Sequence, residues 1–181
     1  MKIVVASPLY PPDIAEPAPY VKELAKRLSS KHRVTVVTYG HLPEQVEGVD
    51  LVAVDKRQSL LVRLGRYYFA LRRAAYGADL LYMENGPSVE LPAGAFSRLN
   101  GIPLVMHVGD SAAHANAQRS FFLSRIERFA LDLSRQSVRE SPPSRPEILP
   151  FEPKPEAALR EWESAWKEHI EKLEDLFSHA R

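Results

Sequence analysis

The sequence predicts an α/β domain in which a doubly wound parallel sheet is covered by helices on both faces. Three observations carry that reading. Short runs rich in Val, Ile and Leu recur at Ile3 to Ala6, Val34 to Val37, Leu51 to Val54, Leu80 to Met83 and Leu104 to Val108, as expected of strands buried on both sides. Segments of helical period separate most of them, the alternation of βαβ units. The length, 181 residues, suits one domain with a sizeable core.

The first strand breaks at Ser7 into a loop containing Pro8, Pro11, Pro12 and Pro17. Proline fixes φ and removes the backbone donor, so this loop is neither helix nor ladder and holds an extended shape. Loops leaving the carboxyl ends of strands line the ligand crevice of open α/β sheets, which makes this one a candidate binding edge. A helix from about Pro19 to Ser30 follows. It places Tyr20, Val21, Leu24, Ala25 and Leu28 on one side and Lys22, Glu23, Lys26 and Arg27 on the other, so it should pack on the sheet.

A second helix, from about Ser59 to Tyr76, follows the third strand. Leu60, Leu61, Leu64, Tyr67, Tyr68 and Leu71 form its expected core stripe, while Arg63, Arg66 and Arg73 point away beside a second apolar line of Val62, Phe69 and Tyr76. Lys56, Arg57, Arg63, Arg66, Arg72 and Arg73 have no acidic residue among them. Arg63, Arg66, Phe69 and Arg73 thus suit an anionic membrane surface or a lipid phosphate. A solvated face, or Phe69 at a homodimer contact, is the open alternative.

The third helix is expected from about Val89 to Leu99 and a fourth from about Ser120 to Arg139, with SAAHANAQ (residues 111–118) read as a polar, solvated loop. Residues 140–155 are rich in Pro and Ser and read as an extended linker with one short strand at Ile148 to Phe151. The last helix, Glu156 to about His179, carries Leu159, Trp162, Trp166, Ile170, Leu173 and Phe177 at steps of three and four. Two tryptophans on one stripe demand a large apolar partner, so this helix is expected to dock on the domain formed by residues 1–139.

With 24 Lys and Arg against 23 Asp and Glu, no global field argues for nucleic acid. The absence of cysteine excludes disulfides, thiolate metal sites and a cysteine nucleophile from this chain. No apolar segment approaches the roughly 18–20 residues that span a bilayer, and the amino terminus reads as a core strand rather than a signal peptide. A cytoplasmic protein is expected, with peripheral membrane binding through the second helix as the variant. His32, His41, His169 and His179 are scattered without ligand spacing, so neither a metal nor a cofactor is expected.

SPLYPPDI (residues 7–14) followed by PAPYVKELAKRL (residues 17–28) resembles the amino-terminal signature of family 4 glycosyltransferases, whose GT-B fold pairs two Rossmann-like halves. The resemblance implies that this chain is the acceptor-binding half, one Rossmann-like sheet stapled by its own last helix. WKEHIEKLEDLF (residues 166–177) is similar to the closing helix of such enzymes, so the likeness brackets the chain at both ends with the donor-binding half missing. Residues 140–155 would then mark that deletion. Glu163 and Glu171 share the spacing of the donor-half glutamates, but in a charged helix without glycine the match reads as chance.

The resemblance also assigns residues. The β1 loop of the family carries Gly-Gly before the proline so that the donor diphosphate can approach; here Ala15 and Glu16 stand there, and with Tyr10 they would face the donor. A side chain obstructs that approach and a carboxylate repels phosphate. DLLYMENGP (residues 79–87) and GIPLVMHVGD (residues 101–110) look like the two strand ends that face the acceptor and the reacting sugar. Glu84, Asn85 and His107 would bind acceptor and Asp110 would be the catalytic group. The family histidine lies one residue before the aspartate, where this chain has Gly109. For His107 a hydrogen-bonded place within the sheet, and for Asp110 a helix cap, are the alternatives.

Three functions remain open: the acceptor half of a glycosyltransferase that needs a donor-binding partner chain, a catalytically silent binding module, and a homodimeric scaffold.

Overall fold

The computed structural model describes residues 1–134, 136–139 and 156–181. In chain order the elements are β1 (Lys2–Ser7), α1 (Ala18–Leu28), β2 (Arg33–Tyr39), β3 (Val49–Val54), α2 (Leu60–Ala74), β4 (Leu80–Glu84), α3 (Pro87–Asn100), β5 (Leu104–Val108), α4 (Ser111–Arg119), α5 (Phe121–Leu133), β6 (Gln136–Arg139) and α6 (Glu156–Ala180). The strands form one sheet in the order β3-β2-β1-β4-β5-β6, and every neighbouring pair is parallel. This is the doubly wound arrangement, with its reversal of direction between β1 and β4.

Side chains alternate across the strands and divide the core in two. Ile3, Val5, Val34, Val36, Leu80, Tyr82 and Val105 meet α1 and α6. Val4, Ala6, Val37, Leu81, Met83, Leu104 and Met106 meet α2, α3 and α5. On the first face Trp166 and Phe177 of α6 are fully buried. Arg27 of α1 lies over both tryptophan rings, its Cζ 4.7 Å from the Trp162 centroid and 5.2 Å from that of Trp166. The same guanidinium forks onto Glu163 at 2.8 and 3.0 Å and reaches Glu23 at 2.7 Å.

On the second face α3 and α5 approach closely at Gly94, where a Cβ would come to 3.0 Å from the Phe129 ring. Pro92 inside α3 has no N–H to give the Ser88 carbonyl. The Tyr39 hydroxyl donates to that carbonyl instead, at 2.9 Å. Gly101 ends the helix in the left-handed region, φ 67°.

Three sequence expectations change. The segment expected to be a loop at 111–118 is helix α4, because the Asp110 carboxylate accepts the Ala113 N–H at 2.9 Å and caps it and four alanines follow. The fourth helix stops at Leu133 and the chain pairs with β5 as β6, in the register Val105↔Gln136 to Val108↔Arg139. At the start of α2, Leu60 and Leu61 are exposed (55% and 82%) rather than in the core, which takes Tyr67, Leu71 and Ala74. The linker expected at 140–155 and its strand at 148–151 lie outside the described residues.

Candidate functional site

The loops after β4 and β5 are tied to each other. The Asn85 backbone N–H donates to the His107 carbonyl at 3.0 Å. Its side-chain amide donates to the Asp110 carbonyl at 2.9 Å and accepts from the Asp110 N–H at 2.8 Å. One asparagine therefore fixes both strand ends, and Asp110 stands on the rim with one carboxylate oxygen committed to the α4 cap. Gly86, φ 154°, lets the β4 loop press against the start of the β1 loop, where a Cβ would meet the Pro8 ring at 3.2 Å.

Beneath this edge, facing α1 and α6, runs a buried chain of hydrogen bonds. His107 Nδ1 lies 2.8 and 3.0 Å from the two carboxylate oxygens of Glu84, and the Tyr82 hydroxyl donates to the first of these at 3.0 Å. The Tyr82 and Tyr20 hydroxyls are 3.3 Å apart, and Tyr20 Oη is 2.8 Å from His169 Nε2 of α6. Glu84 and His107 have no exposed surface. Neither side chain therefore presents surface to a ligand: Glu84 and the Nδ1 edge of His107 hold each other within the sheet, and a buried hydrogen-bond network rigidifies what it joins.

The β1 loop divides in the same way. Tyr10, expected to face a donor, is buried in the core under α1. Burial, with the charge of Glu44 second, pushes its phenol up to about 12. Ala15 and Glu16 are exposed.

Residues 16–138 match the family described as glycosyl transferase 4-like domain. The chain belongs to that family. No curated protein matches the chain by sequence. Among solved structures, a protein described as a UDP-N-acetylglucosamine 2-epimerase from Listeria monocytogenes aligns with TM-score 0.55 and 15% identity over 76% of this chain and 39% of that one. The UDP-GlcNAc 2-epimerase from Neisseria meningitidis, bound to UDP-GlcNAc, gives 0.51 and 14% over 75% and 39%. Arabidopsis thaliana UGT89C1 with UDP gives 0.50 and 14% over 90% and 54%. The chain thus spans about two-fifths to one half of these proteins, and the likeness is one of fold: this glycosyl transferase 4-like domain has the Rossmann-like architecture of one half of a GT-B protein.

A second polar cluster of the glycosyl transferase 4-like domain escaped sequence reasoning. Glu127 of α5, buried, accepts from Gln118 at 3.0 Å and lies 2.7 Å from His114 Nδ1. Glu90 of α3, also buried, takes the Gly86 N–H at 2.8 Å. Burial, then the nearby charge of Glu127, pushes the Glu90 carboxyl up to about 7. Glu90 falls one position past the place of a capping-box glutamate, which sits three residues after the cap, and nothing in the sequence joins it to Glu127. Among the described residues no group of three His, Cys, Asp or Glu could hold a metal ion.

On α2, Arg66, Arg73 and Phe69 are exposed, Phe69 to 64%. Arg63 departs from the expected free face: it is half-buried, with its Cζ 5.4 Å from the centroid of Tyr39. Among the described residues no helix is long and apolar enough to cross a membrane.

Proposed function

We propose that this chain is the acceptor-binding half of a family 4-like glycosyltransferase, passing a sugar from a nucleotide-sugar to a lipid or saccharide acceptor only when a donor-binding partner faces its carboxyl edge. The observation that carries the reading is the surface of that edge. Ile14, Leu42, Leu60, Leu61, Phe121 and Phe122 are large apolar side chains left exposed. The first four stand on loops or a helix start that follow β1, β2 and β3. The last two open α5, which must run back along the sheet to enter β6 from the opposite edge. An apolar rim around a crevice suits a second protein wall.

In this reading Asp110 orients the acceptor hydroxyl, Asn85 holds its loop, and Glu84 with His107 supports both from below. Arg66, Arg73 and Phe69 bring the domain to the anionic, cytoplasmic face of a membrane. The isolated chain should neither turn over UDP-glucose or UDP-N-acetylglucosamine nor bind them at micromolar concentration in calorimetry. Co-expression with a donor-binding chain should restore transfer. Turnover by the purified chain alone would overturn the need for a partner.

Exposed Ala15 and Glu16 favour a second reading, a silent binding module. Its test is the double substitution Ala15→Gly and Glu16→Gly in the assembly with a donor-binding chain. A gain in donor affinity supports the silent reading, and no change removes it.

A further inference from the structure

We propose that a cleft over the carboxyl ends of β2 and β3 is a subsite for one neutral pyranose ring of an extended acceptor, distinct from the position of the hydroxyl that reacts. The proposal rests on the acceptor-binding reading above. The cleft has a volume of about 250 Å³ and is walled by Tyr10, Pro11, Pro12 and Pro43. Ordinary small-molecule pockets run from roughly 300 to 1,000 Å³, so this one suits a single ring. Proline rings offer flat C–H surfaces without backbone donors, which match the apolar faces of a sugar.

The polar groups choose between a sugar and an anion. Lys56 Nζ is paired with Asp13 at 2.7 Å. Asp55 accepts the Arg57 backbone N–H at 2.9 Å through one oxygen, which leaves the other. Among the described residues, no acceptor pairs with the Arg57 guanidinium and no partner with the His41 ring, and both line the cleft. Two cations and two carboxylates therefore balance, so the cleft has no net field for a phosphate. Donors stand beside acceptors, as vicinal hydroxyls require, because each hydroxyl both gives and takes. The Tyr10 hydroxyl adds a buried oxygen with no partner, a group that native structures leave unsatisfied only rarely.

Position supplies the second part of the inference. Along the sheet order, β2 and β5 are separated by two strands. Three strand spacings, on the order of 14 Å, thus lie between the cleft and Asp110 at the end of β5. That exceeds one ring, so a sugar held in the cleft is not the one whose hydroxyl reaches Asp110, and the acceptor carries further rings between them.

The test is titration of the ¹⁵N-labelled chain, followed by amide shifts, with glucose, mannose, galactose, N-acetylglucosamine, maltotriose and inorganic phosphate. At least one neutral sugar should give saturable shifts confined to the amides of Tyr10, Asp13, residues 40–42 and residues 55–57. Asp55→Asn, which keeps an oxygen for the Arg57 N–H at a half-buried position, and Arg57→Ala, at an exposed one, should each weaken binding about tenfold, the loss expected for a hydrogen bond to a charged group, without lowering the melting temperature. Maltotriose should bind more tightly than glucose and extend the shifts toward Asn85 and Asp110. Silence with all five sugars overturns the subsite, as does phosphate binding as tightly as the best sugar, or binding indifferent to both substitutions. A trisaccharide no better than one ring overturns the extended acceptor. Shifts at Asn85 and Asp110 with none in the cleft would sink the subsite and spare the acceptor reading; no shifts at either place would count against both.

Discussion

Tyr20 of the first helix and His169 of the last, 149 residues apart, share a buried hydrogen bond of 2.8 Å. Through Tyr82 and Glu84 the same chain of bonds reaches His107. The polar groups under the candidate site and the docking of α6 are therefore one structure. Tyr20→Phe leaves the Tyr82 hydroxyl and the His169 ring each short of a partner and should cost about 1–3 kcal/mol. Urea denaturation of Tyr20→Phe, His169→Ala and the double variant would measure the coupling, and additive losses would mean that the two residues do not act together.

Trp166 is fully buried between α1 and the rest of α6. Trp166→Ala removes that ring from the core and should cost about 3–5 kcal/mol. Leu159→Ala, at a position 38% exposed on the same helix, should cost far less. Denaturant midpoints compare the two directly.

Glu90 makes stability depend on pH. Its carboxyl rises from 4.5 to about 7 on folding. Between those values the unfolded chain has lost the proton that the folded chain still binds, so stability falls as pH rises and the whole penalty is present above the folded value. A shift of this size corresponds to about 3 kcal/mol. Glu90→Gln keeps an oxygen for the Gly86 N–H and removes the titration. It should flatten the profile and exceed the parent in stability at about pH 8, which thermal melts across that range would reveal.

Asp110 has two separable jobs. Asp110→Ala deletes the α4 cap and should cost about 0.5–2 kcal/mol, whereas Asp110→Asn still caps and should leave stability nearly intact. If the proposed catalytic role holds, Asp110→Asn will lower kcat of the partnered enzyme at least about tenfold, equivalent to 1.4 kcal/mol of barrier. Unchanged kcat would reduce Asp110 to its capping role.

The membrane binding proposed for α2 should depend on the arginines that are exposed. Arg66→Glu with Arg73→Glu should abolish flotation with anionic liposomes at low salt, each basic residue contributing about 1 kcal/mol. Arg63→Gln should act mainly through its packing over Tyr39 and change stability more than flotation.

Local signals determined much of this protein. Val- and Ile-rich runs specify buried strands wherever they fall, the prolines after Ser7 exclude regular structure, and the tryptophan stripe of α6 requires a partner surface whatever that surface is. The family likeness was also legible, because SPLYPPDI and the two strand-end segments are short and contiguous. Tertiary structure alone decided the rest. QSVR (residues 136–139) has no intrinsic strand pattern and becomes β6 only because β5 offers an open ladder. Arg63 finds the Tyr39 ring, and Leu61 finds no cover, only once α2 is laid on the sheet. Glu84 and His107 read as polar groups at a strand end, but they are buried because Tyr20 and His169 arrive from helices distant in sequence. Burial and hydrogen-bond partnership are properties of what packs against a residue, and no stretch of sequence around that residue contains them.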